Sequence, residues 1–380
     1  MAELVAQTFA DMDVQVQWQQ IEDDRANVLA TRPGAGGGPS LMFNGHMDTS
    51  YSGREAWLAH VPGFQPTAFV EEGRLYGLGI SNMKGALACY VEALRALADA
   101  GVRLRGDVLV AAVCGEIEKA QWAEAQGAEF RGYAAGTRHL VTHGGVADMC
   151  ILGEPTESKV VLGHFGSLWV RISTQGPFVH SAFSEGKRHL NSILRMRGVL
   201  DAVLEWIPMW ENDPANAYRG ASAIVNVGGI EGGFGWRVSR TPHRTDLFLD
   251  VRVPPTKEMA AARADVLELV RGLQARFPDY GVEGEIYVTA PGAEIDENHP
   301  LVSALDEAHA EVFGSVPERD VTRWFSDASA LTRYGVPTVN YGASSGLLDT
   351  VKGENLEIDG LVKTAEVYAR AAMKICGVAE

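Results

Sequence analysis

The chain has 380 residues and a mass of 40.9 kDa, 46% of them hydrophobic and 22% charged, with a formal net charge of −16. That length predicts two domains of roughly 100–200 residues each, and the composition excludes disorder as the main state. An acidic surface repels phosphate backbones and anionic lipid, which argues against nucleic acid or membrane as a partner.

Cys89, Cys114, Cys150 and Cys376 form no CxxC pair, so neither a disulfide framework nor a structural zinc site is expected. The opening MAELVAQTFADMD is acidic and lacks a secretory pattern. No apolar run reaches the ~18 residues that a membrane span needs. The chain reads as cytoplasmic.

Strand-like runs at 26–30 and 41–44 flank a Gly-rich turn at 34–38. A run at 74–77 leads through a glycine turn into a helical pattern at 84–98, and apolar runs at 108–114 and 147–152 read as buried strands. This alternation predicts an α/β domain with a mostly parallel sheet. Between 163 and 290 the texture changes: 167–174 and 245–253 alternate with period two, and helical patterns cover 190–206 and 257–277. A β-α-β-β-α-β, ferredoxin-like α+β unit fits that order. From 296 the pattern returns to a helix, a short strand at 338–341 and a final helix at 359–375. The expected division is 1–163 and 291–380 as one interrupted domain, with 164–290 as the smaller insert.

Several polar residues stand at strand ends, where ligands bind in open α/β sheets. In Asn44-Gly45-His46-Met47-Asp48, His46 and Asp48 face the same way, so the Asp can fix the second imidazole nitrogen of a metal-ligating His or simply form a structural hydrogen bond. Gly77 to Gly85 lacks nucleotide-loop spacing; it presents Asn82 at a helix start, as a ligand or a plain N-cap. Glu116 and Glu154 follow buried strands, where a carboxylate is costly unless paired, metal-bound or solvated. Two of them beside His46 and Asn82 point to a metal centre. His164, His189, His243 and His299 read as loop or helix-end residues, and Trp206 to Trp210 as core or subunit interface. Arg323 and Arg252 could each grip a substrate carboxylate or form a structural ion pair.

The order of motifs resembles the co-catalytic zinc amidohydrolases and exopeptidases, which include aminoacylase, acetylornithine deacetylase, succinyl-diaminopimelate desuccinylase and the glutamate-releasing carboxypeptidases. The resemblance runs through Gly45-His46-Met47-Asp48, Met83-Lys84-Gly85, the Glu116 region, Leu152-Gly153-Glu154-Pro155-Thr156, Gly176 to His180, Asp250-Val251-Arg252 and Ser326-Asp327-Ala328. It implies that the insert is a lid or dimerisation domain and that the protein is a homodimer or higher homo-oligomer acting on a small molecule. By the same resemblance His46 is a metal ligand and Asp48 its orienting partner. Asn82 stands where an Asp bridges two metals, Glu116 at the general base and Glu154 at the carboxylate of the second metal. His180 meets a substrate oxygen, often in the partner subunit, and the loop with Gly342 holds the substrate carboxylate.

Three positions depart from the family. Asn82 replaces the bridging Asp, Ile117 follows the base where a Glu is expected unless Glu118 serves, and the last metal-binding His is missing, with Asp349 the nearest polar substitute. The losses fall on one metal, so the reading is a single divalent ion, held by His46, Asn82 and Glu154. Mn²⁺, Zn²⁺ and Co²⁺ all suit such ligands. Glu116 would take a proton from metal-held water to cleave a C–N bond of a small carboxylate-bearing substrate. Two alternatives stand beside this hydrolase: an aromatic aminohydrolase acting on a nitroaromatic acid such as 5-nitroanthranilate, and a non-catalytic dimeric binding protein with a decayed site.

Overall fold

The computed structural model describes residues 1–343 and 351–380. They form two compact units, one of Met1–Gly163, Glu294–Asp320 and Ser326–Glu380, the other of His164–Ala293 and Val321–Phe325.

The first unit is built on a mixed sheet with the order Gln15–Glu22, Arg25–Arg32, Val108–Val113, Leu41–His46, Met149–Leu152, Thr338–Asn340, Val160–His164. Its centre is parallel: Leu41–His46 pairs in parallel with both Val108–Val113 and Met149–Leu152, and Thr338–Asn340 with Met149–Leu152. Antiparallel strands flank that centre on both sides, so the expected parallel sheet is the middle of a wider mixed one. Every residue of Leu41–His46 and Val108–Val113 is buried, as strands covered on both faces require. Leu41 and Phe43 join one apolar cluster with Leu94, Leu305 and Val367 of three helices, whereas Met42 between them joins a second cluster with Leu140 and Leu331. The strict period of two in a strand sends alternate side chains to opposite layers.

The second unit has a four-stranded antiparallel sheet. Its spatial order is Val225–Gly232, Arg244–Val253, Gly166–Gln175, Glu283–Ala290, which is 2-3-1-4 in chain order. Helices Ser192–Glu211 and Met259–Arg276 complete the β-α-β-β-α-β pattern. Trp210 belongs to this unit's apolar core and packs against Trp206 with ring centroids 5.4 Å apart, in line with the core reading of that pair. Among the described residues no helix is long and apolar enough to cross a membrane.

Candidate metal centre

His46 is the last residue of the central strand Leu41–His46 and is fully buried. Its Nδ1 lies 2.9 Å from the main-chain oxygen of Asp48. A carbonyl can only accept, so Nδ1 carries the proton and the lone pair of the neutral ring is on Nε2. The Asp48 carboxylate, expected to hold this nitrogen, is 3.8 Å away. It is taken up instead by the loop after Val108–Val113: Oδ1 accepts from the N–H of Gly115 at 2.7 Å and of Glu116 at 3.3 Å, and Oδ2 from Ile117 at 3.2 Å. Three main-chain donors at a strand end outcompete one imidazole.

Nε2 of His46 faces three oxygens. Oδ1 of Asn82 is 2.8 Å away, Oε2 of Glu116 3.6 Å and Oε1 of Glu154 3.9 Å. Asn82 reaches this position from the segment Ile80–Lys84, in which Asn82 and Met83 leave helical φ/ψ before the helix Gly85–Asp99 begins. The N-cap alternative is therefore overturned: Lys84 holds the cap position, and the Asn82 side chain points at the histidine. Glu116 follows Gly115, whose φ of +76° lets the chain turn sharply off the strand. Glu154 follows the parallel strand Met149–Leu152.

All four groups present acceptor atoms to one another. His46, Glu116 and Glu154 each offer one ligand atom, all within 4.8 Å of each other, and Oε1 of the buried Glu154 has no hydrogen-bond partner. Such a knot of lone pairs in a dry site is unfavourable until a cation joins it. The donor set of one imidazole nitrogen and hard oxygens suits a divalent first-row ion, so these residues fit the metal that the sequence implies. Burial, then the Glu154, Asp327 and Asp48 carboxylates, push the Glu116 carboxyl well above its ordinary value. Burial followed by Asp327 and Asp48 does the same to Glu154.

The remaining sequence candidates are spread more widely. Ile117 is buried, and Glu118, half-buried, stands outside the cluster of ligand atoms. Asp349 lies outside the described residues. His180 belongs to the second unit, where its Nδ1 accepts the Ala182 N–H at 3.2 Å. Arg252 forms an ion pair with Asp250 at 2.7 Å, and Arg323 donates through Nε to the Ser222 carbonyl at 2.7 Å, both within that unit. Gly342, expected to meet substrate, gives its N–H to the Thr156 hydroxyl at 3.0 Å and packs under Glu154. His164 ends the strand Val160–His164 rather than lying in a loop, and burial lowers its pKa to about 4.

Two further carboxylates, to which the sequence assigns no role, border the site. Asp327 is buried, accepts from the Thr137 hydroxyl at 2.7 Å, and is pushed up to about 7, chiefly by burial. Thr137 in turn accepts from the Asn44 carboxamide at 3.2 Å, which ties Asp327 to the strand that carries His46. Glu354 is buried against the N–H groups of Ser81 and Asn82. The sequence shows Ser326-Asp327 as a motif without a role, and nothing in it sets Glu354 apart from other surface-type glutamates.

Comparison with known proteins places the chain in a family. The model of Peptidase family M20/M25/M40 matches residues 42–374. A succinyl-diaminopimelate desuccinylase of Alkalilimnicola ehrlichii is 26% identical, over 94% of this chain and 90% of its own. An acetylornithine deacetylase of Vibrio parahaemolyticus is 25% identical, over 98% and 91% respectively. Among solved structures, aminopeptidase PepT from Bacillus cereus superposes with a TM-score of 0.72 at 19% identity, over 98% of this chain and 92% of that one, a likeness of fold.

Proposed function

The chain belongs to peptidase family M20/M25/M40, metal-dependent hydrolases of amide bonds, and we propose that it removes an acyl group from the nitrogen of a small, carboxylate-bearing substrate. His46, Asn82 and Glu154 hold one divalent ion in this reading, and Glu116 is the general base. The observation that carries it is the convergence of three oxygen acceptors, those of Asn82 and of the buried Glu116 and Glu154, on Nε2 of His46. When bound, the ion supplies Lewis-acid polarisation and lowers the pKa of water.

The chain's own residues supply the proton handling. Burial raises the proton affinity of Glu116, so its Oε2 is a stronger base than a solvated carboxylate, suited to take a proton and then return it to the leaving nitrogen. Asp48 fixes where that carboxylate stands by accepting three successive N–H groups around it. Its carbonyl meanwhile holds the imidazole in the tautomer that leaves Nε2 open. His180 enters the proposal through the resemblance, as the group that meets a substrate oxygen; Arg323 and Arg252 are the guanidinium candidates for the substrate carboxylate. A homodimer goes with it.

Acyl removal is favoured over the aromatic aminohydrolase because the two relatives are, by name, a desuccinylase and a deacetylase. A decayed binding protein is disfavoured because the base and the buried acceptors all remain. The test is a screen of N-acetyl and N-succinyl amino acids with metal-stripped protein reloaded with Zn²⁺, Mn²⁺ or Co²⁺. Hydrolysis that requires the ion supports the reading; turnover of arylamines alone would replace it.

A further inference from the structure

Glu354 lies behind the metal-facing residues rather than among them. Its side chain is 2% exposed, and Oε2 accepts the main-chain N–H of Ser81 at 3.2 Å, with a longer contact to that of Asn82 at 3.5 Å. Beside it the Ser81 hydroxyl donates to the Asn355 carbonyl at 2.9 Å. Residues 354 and 355 therefore grip one short segment, through a side chain and a main-chain oxygen. The grip is itself anchored, since the Glu354 carbonyl accepts from Gly77 at 3.3 Å and the Lys352 carbonyl from Gly63 at 2.7 Å.

The segment needs such a hold. Asn82 and Met83 have φ/ψ of −124°/89° and −138°/35°, so the regular hydrogen-bond ladder of a helix does not set their orientation. A buried carboxylate accepting main-chain N–H groups makes a charge-assisted bond, stronger than a neutral one. Burying that carboxylate is costly, which is hard to reconcile with a filler role.

We propose that Glu354 is a positioning residue of the metal centre: by accepting the N–H groups of Ser81 and Asn82, it holds the Asn82 carboxamide against Nε2 of His46. The inference rests on Asn82 being a ligand. Outer partners of metal ligands typically govern affinity by ~10–100-fold, and Glu354 acts here through the main chain of the ligand rather than its side chain.

The test is Zn²⁺ titration of metal-free protein by calorimetry, together with the visible spectrum of the Co²⁺-loaded form. Glu354→Met fills the same space without an acceptor and should bind Zn²⁺ at least ~10-fold more weakly, with shifted Co²⁺ bands. Glu354→Gln keeps an acceptor oxygen and should recover most of the affinity and the original bands. If Glu354→Met does not fold, Glu354→Ala takes its place. Wild-type affinity and bands in the acceptor-free variant overturn the proposal. Equal losses in the Met and Gln variants overturn it too, because charge rather than hydrogen bonding would then be responsible. Asn82→Ala separates the two layers: if it loses Zn²⁺ while the acceptor-free variant does not, the positioning role alone fails, and wild-type binding by Asn82→Ala defeats the ligand assignment beneath it.

Discussion

The carboxamide oxygen of Asn82 stands 2.8 Å from Nε2 of His46, closer than either buried glutamate oxygen, at 3.6 and 3.9 Å. A neutral oxygen therefore occupies the innermost place, where a carboxylate would add charge. An ion held there keeps more of its positive charge and stays a stronger Lewis acid, at the expense of affinity. Elemental analysis of protein purified without chelator should find about one divalent ion per chain. Asn82→Asp should tighten binding without raising that count, since the Ile117 side chain offers no donor atom. Two ions per chain in either protein would sink the mononuclear reading.

Glu116→Gln should retain the ion and the fold while turnover falls by roughly 10²–10⁴, the usual weight of a general base. The amide occupies the same volume and leaves the Asp48 contacts to Gly115 and Ile117 intact. Turnover within a few-fold of wild type, measured by release of free amine, would remove Glu116 from the mechanism.

His180→Ala separates substrate chemistry from metal binding. With His180 outside the unit that carries His46, its loss should leave metal content unchanged and lower turnover by roughly 10²-fold, as removal of an oxyanion donor does. A drop in metal content would contradict the assignment.

Much of this was legible in the sequence. The strands of 26–30, 41–44 and 108–114 reappear as Arg25–Arg32, Leu41–His46 and Val108–Val113, because a strand buried on both faces carries a mostly apolar run and so announces itself. His46, Glu116 and Glu154 were legible because polar side chains at the ends of such strands stand out against them. The partner of the imidazole was not: period-two spacing puts Asp48 on the correct face, but whether its carboxylate or its carbonyl meets the ring depends on the N–H groups of residues 115–117, which are distant in sequence. Glu354 was hidden for the same reason, since its partners lie more than 270 residues away. The resemblance puts Gly342 in the loop that holds the substrate carboxylate, and sequence alone does not show that the fold gives its N–H to Thr156.

Metal-free protein should become less stable as pH rises toward neutrality. Glu116, Glu154 and Asp327 all hold protons more tightly in the fold than when unfolded, Asp327 reaching about 7 from an ordinary 3.8. Their contribution is full below the unfolded carboxylate range, near ~4, and is lost as pH climbs through the folded values. The melting temperature of the metal-free form should therefore fall between about pH 5 and pH 7, and Asp327→Asn should reduce that fall. Bound Zn²⁺ should flatten it by compensating the ionised carboxylates. A metal-free melting temperature that rises over the same interval would refute the argument.

Gly342→Ala probes the floor of the site without touching a ligand side chain. A Cβ there would press on the carbonyl oxygens of Gly153 and Glu154, 2.6 Å from the former, and these are main-chain atoms that cannot swing aside. The Gly342 N–H also binds the Thr156 hydroxyl at 3.0 Å, so the glycine cannot retreat without breaking that bond. Overpacking of this kind costs about 1–3 kcal/mol. The displaced backbone is that of Glu154, so the lower melting temperature should be accompanied by weaker Zn²⁺ binding in calorimetry. A destabilised variant with unchanged Zn²⁺ affinity would show that the carboxylate is positioned independently of the chain beneath it, and that Glu154 is not held in place by its own backbone.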